Sequence, residues 1–73
     1  SEEIEKTEEL RAIMLAVSKL TARQNTCFSL RFLGEKSFKE IADSLGISEG
    51  AVKSHINRAK TNIREHLKTN GLP

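Results

Sequence analysis

Apolar residues along this chain recur at helical spacing, and four stretches can be marked off by it. In the first, Ile4, Leu10, Ile13, Met14, Val17 and Leu20 follow that spacing and predict a helix over residues 2–19. Ala12, Leu15 and Ala16 widen its apolar face beyond a single stripe. The expectation is a well-covered core helix; the alternative is a spare apolar patch for a partner protein. Its opening turns carry Glu2, Glu3, Glu5, Glu8 and Glu9, which suits the partial positive charge of a helix N-terminus.

Three shorter signals follow, each with its own start and stop. Thr21 with Gln24 three residues later forms a capping box ahead of Cys27, Phe28, Leu30 and Leu33, and Gly34 stops that helix. Ser37 with Glu40 forms a second box; Ile41, Ala42 and Leu45 face inward, and Gly46 supplies the left-handed residue at the end. Ser48 is an N-cap type for the last helix, in which Val52, Ile56, Ala59, Ile63 and Leu67 make one continuous stripe. Asn70 and Gly71 are the expected stop. Alternating β-branched runs are absent, and the sole proline is Pro73. The pattern predicts an all-α, four-helix domain spanning residues 1–73.

The third and fourth helices are joined only by Leu45-Gly46-Ile47-Ser48. A turn this short, with glycine, between two amphipathic helices is the helix-turn-helix pattern, here placed over residues 37–68 with a long second helix. Ala42 is small where the helices cross, Ile47 plugs the core from the turn, and Val52 and Ile56 pin the second helix to the first. Projected at about 100° per residue, the fourth helix turns Gly50, Ser54, Asn57, Arg58 and Thr61 away from its apolar stripe. Ala51 lies beside that face, Lys53 and Lys60 flank one side, and His55 the other. Small residues leading, with hydrogen-bonding and basic groups behind, suit a helix that enters a DNA major groove about 12 Å wide. Backbone phosphates would meet Ser37 and Ser48 at the two helix N-termini and the charges of Lys36, Lys39 and Lys60. Glu49 is expected to point away and cap its own helix.

Charge sharpens this picture. Residues 1–20 carry a net −2, while residues 21–73 carry +4 from nine bases and five acids. The basic excess therefore coincides with the helix-turn-helix. A single cysteine, Cys27, excludes an intrachain disulfide and reads as a small core residue. His55 and His66 stand without a cysteine or carboxylate constellation, so no metal is expected. No nucleophile–base pattern, phosphate-binding glycine loop, secretory signal or membrane span is present, and neither enzymatic activity nor a cofactor is expected.

The segments LTARQ, FSLRF, SFKEIADSLGISEG and VKSHINRAK resemble region 4 of bacterial RNA polymerase sigma factors, closest to the short extracytoplasmic-function type, over residues 10–68. The resemblance implies promoter −35 recognition in double-stranded DNA by the helix-turn-helix, with Lys53, Ser54 and Arg58 in contact. It also implies a second surface for the flap of the polymerase β subunit, and an anti-sigma factor as a further partner. Ala51 stands where that family commonly has threonine, His55 and Lys60 where arginine is frequent, and Ala22 where proline is frequent. Such a domain is expected in the cytoplasm, away from membranes, monomeric on its own. It is expected as a piece of a longer factor, because the region that melts DNA is not in this sequence. Two alternatives remain. A LuxR-type effector domain shares several of these segments, but it breaks the last helix that here runs on as one stripe. A pure protein-interaction domain would use the broad face of the first helix and would not bind DNA.

Overall fold

The computed structural model describes the backbone of residues 2–69 and the side chains of residues 7–69. Within it lie α1 (Glu2–Ser18), α2 (Ala22–Phe32), α3 (Phe38–Leu45) and α4 (Glu49–Thr69), with no strand among the described residues. The chain is all-α, as the spacing of its apolar positions requires. The expected stop at Asn70-Gly71 and the side chains of Glu2, Glu3, Ile4 and Glu5 lie outside the described residues.

Local chemistry sets the boundaries. Thr21 accepts the Gln24 N–H at 3.2 Å, and Gln24 reaches back to the Thr21 N–H at 3.4 Å. Ser37 and Glu40 repeat the arrangement at 3.0 and 2.9 Å. Gly46 ends α3 at φ 68°, ψ 34°. A Cβ there would meet nothing within 4 Å, so glycine is favoured by its left-handed backbone rather than by crowding. The Ile47 N–H returns to the Ala42 carbonyl at 3.1 Å, closing the turn.

α2 stops just before Gly34, as expected, but by a different device from α3. The left-handed residue in the α2–α3 connection is Glu35, at φ 54°, whereas Gly34 is needed for space. A Cβ on Gly34 would lie 2.9 Å from the Leu30 carbonyl oxygen, in contact with fixed backbone. Leu33, grouped with the apolar contacts of α2 by the sequence pattern, is 84% exposed because it is the C-cap rather than a residue on the helix face.

α4 is the axle against which α1, α2 and α3 all pack. Cys27, Ile41, Ala42, Val52 and Ile56 form the buried cluster, with Leu30, Phe38, Leu45 and Ile47 against it. Burial pushes the Cys27 thiol pKa up, with nearby Arg23 opposing, which keeps it an inert core group. α2 crosses α4. Gln24 at its start accepts from Asn62 Nδ2 at 3.1 Å, and Phe32 at its end carries Lys60, on the other edge of the α4 stripe. Gln24 is buried while Asn62 is exposed, so the bond is partly shielded from water. Gln24→Ala is expected to cost about 1–2 kcal/mol in urea unfolding; an unchanged midpoint would show the Asn62 bond to be idle.

The expectation of a well-covered first helix is corrected. α1 buries Ala16 at 1% exposure, and Ala12 one turn earlier is half-buried. Leu10, Ile13, Met14 and Leu15 stay 43–63% exposed. The reason is geometric: small residues bring α1 close to α4, and the narrowest dimension of the molecule is only 16 Å. Among the described residues, no further element covers the outer side of α1.

Candidate nucleic-acid interface

The turn presents α4 by its N-terminal end. The Ser48 hydroxyl accepts the Ala51 N–H at 3.0 Å, and its carbonyl accepts the Val52 N–H at 3.1 Å, so the helix begins at a capped turn. Val52 and Ile56, at 0% and 3% exposure, fix the rotation of α4 against the core. With the rotation fixed, Gly50, Lys53, Ser54, Asn57, Arg58 and Lys60 are exposed, and Thr61 continues the face. Ala51 and His55 are half-buried, so they sit at the margin of the face rather than at its centre.

Gly50 is informative. A Cβ at this position would meet only the Ser48 hydroxyl, at 3.9 Å, so the fold itself leaves room for alanine. Glycine is a poorer helix former than alanine, and what it provides here is bare backbone on the outward side of the first turn.

Ser37 and Lys39, at the start of α3, are exposed, as is Lys36 before them. The Ser37 hydroxyl accepts the Glu40 N–H and so caps its own helix. The Ser37 backbone N–H bond to Glu40, with further help from the Ser37 side chain and Lys36, holds the Glu40 carboxyl below the ordinary glutamate pKa. A lowered folded-state pKa gives stability that is complete above the unfolded value and lost as pH falls through the folded one. Glu40→Gln keeps an acceptor without the titration, so its melting temperature should fall less steeply on acidification than the parent's. Parallel acid limbs would remove this role.

Four contacts that sequence spacing does not show complete the edge of the site. The Lys53 ammonium lies 5.3 Å from the centre of the Phe38 ring, and the Arg31 guanidinium 4.9 Å from the same ring. Arg31 also donates to the Lys36 carbonyl at 3.1 Å, tying the α2–α3 connection to the end of α2. Lys60 lies 5.2 Å from the Phe32 ring. The basic edge of α4 is thus seated on aromatic rings from α2 and α3. Among the described residues, no three His, Cys, Asp or Glu side chains are grouped so as to hold a metal ion, and no helix is long and apolar enough to cross a membrane.

A capped two-helix unit with a closed glycine turn, whose second helix shows a polar and basic face, defines a helix-turn-helix DNA-binding domain. Residues 10–63 match the family described as sigma-70, region 4, and the chain belongs to that family. It is 38% identical over 63 residues to an RNA polymerase sigma-E factor of Streptomyces antibioticus, a match covering 85% of this chain and 35% of that protein. It is 36% identical over 63 residues to one of Streptomyces avermitilis, with the same coverage of 85% and 35%. A third, of Streptomyces coelicolor, is 40% identical over 58 residues, 78% of this chain and 33% of that protein. The chain spans about a third of the length of these relatives.

Proposed function

We propose that this domain recognises the −35 element of promoters as the DNA-reading part of a sigma factor. The observation that carries the reading is the outward face of α4: Gly50 leaves the backbone bare where the fold does not require it, and Ser54, Asn57 and Arg58 follow behind. Arg58 and Asn57 offer the hydrogen-bonding geometry that base edges in the major groove accept. Ser37, Lys39, Ser48 and Lys60 surround them with phosphate-binding groups, with Ala51 and His55 at the margin of the read bases. α4 runs unbroken for 21 residues, which favours this reading over a LuxR-type domain with a separate dimerisation helix. Action on promoter DNA places the domain in the cytoplasm, and it is read as a monomer on its own.

A second surface supports a polymerase contact. Leu10, Ile13, Met14 and Val17 of α1 face Phe28 and Leu33 across an apolar groove of about 400 Å³. It is the seat we assign to the β-subunit flap, or to an anti-sigma factor competing for the domain. Selection from random duplexes, with and without the isolated flap, tests both surfaces together. A −35-like consensus is expected, with tighter binding when the flap is present; recovery of unrelated sequences would overturn the promoter reading. Met14→Glu, at a site 63% exposed, should abolish the flap effect while leaving DNA binding intact. Flap binding that survives this variant would place the polymerase elsewhere.

A further inference from the structure

The chain has three aromatic residues, all phenylalanine, and each of them takes part in an arrangement that presents a cation. Phe28 packs on Phe32 with ring centres 4.7 Å apart, Phe32 carries Lys60, and Phe38 carries Lys53. We propose that Phe32 and Phe38 are positioning residues for DNA binding, holding the Lys60 and Lys53 ammoniums as a preformed pair of phosphate contacts along one edge of α4. The proposal rests on the DNA-binding reading of that face.

The geometry supports it at three points. Lys53 and Lys60 are two turns apart, so they share an edge and lie about 10 Å apart along the helix. A lysine in water samples many rotamers, and ordering one on binding costs affinity. A ring within about 6 Å of the ammonium narrows that search in advance. The rings themselves are held still: Phe38 packs against the core cluster and Phe32 is braced by Phe28. Lysine carries three N–H donors, so an ammonium resting on a ring keeps donors for a phosphate oxygen. This also accounts for Phe32, which is 46% exposed and would otherwise be apolar surface spent on solvent.

The role separates from simple charge in a double-mutant cycle. Binding of the 73-residue chain to a short random-sequence DNA duplex is followed by fluorescence anisotropy across a salt series. Lys53→Ala and Lys60→Ala should each lower the salt slope by about one. Phe38→Leu and Phe32→Leu should each weaken binding by about two- to fivefold with the salt slope unchanged. Phe38→Leu should add nothing to Lys53→Ala, and Phe32→Leu nothing to Lys60→Ala. Phe38→Tyr, which keeps the ring, should bind like the parent. Thermal melts report folding, and the Phe32 arm stands on an exposed position even where Phe38→Leu unfolds. Ring variants that are silent, or that add fully to the lysine variants, overturn the positioning role alone. Lysine variants that bind like the parent take this edge off the DNA and overturn both readings.

Discussion

Val52→Asp unfolds the domain. Val52 is fully buried in the cluster that joins α3 to α4, and an aspartate there places a carboxylate among Cys27, Ile41, Ala42 and Ile56 with no cation inside the cluster. Burying an unpaired charge costs on the order of 3–5 kcal/mol. A chain of this length has roughly 4–11 kcal/mol of stability in total, and small domains sit toward the lower end. The same charge one residue along, in Lys53→Asp, falls on the exposed edge and costs only about 1 kcal/mol. Circular dichroism should therefore show a lost or strongly lowered thermal transition for the first variant and a near-parental one for the second. A parental melt for Val52→Asp would mean that α4 does not pack on α3 by this stripe.

The second large effect falls on binding. Arg58→Ala and Lys53→Ala should both weaken DNA binding, but with different signatures. Arg58 is exposed on the outward face of α4, where a fork of donors can meet a base edge. Its loss should cost about 1–3 kcal/mol and relax selectivity at one base position. Lys53 is drawn to the edge by Phe38, where the DNA backbone would pass. Its loss should weaken all sequences alike and reduce the salt slope. Titration of specific and scrambled duplexes separates the two. If neither variant changes affinity, the reading face is misassigned.

Much of this is legible in the sequence because it is local. Both capping boxes, the Ser48 cap and the left-handed Gly46 depend on residues within a turn of one another, and their order along the chain states them. The stripe from Val52 onward fixes which side of α4 turns out, since helix periodicity ties the buried set to the exposed one. Other features escaped because they join residues far apart. Gln24 and Asn62 are 38 positions apart, and nothing in their spacing announces a bond. The seats of Lys53 on Phe38 and of Lys60 on Phe32 depend on where α3 and α2 pack against α4, which periodicity does not encode. The first helix misled for the opposite reason. Its apolar residues are consistent with burial, but whether anything covers them depends on how many layers the fold has.

By itself the sequence determined the helices, the N-caps of α2, α3 and α4, the turn between α3 and α4 and the face that α4 offers. All of these follow from interactions within a few residues. Only the tertiary structure decided that α1 approaches α4 through Ala12 and Ala16 and leaves Leu10, Ile13, Met14 and Leu15 outward. It alone decided that the basic edge of α4 rests on rings from its neighbours. The physical reason is that periodicity sets the direction of a side chain relative to its own helix axis, whereas burial and pairing depend on which other helix stands in that direction.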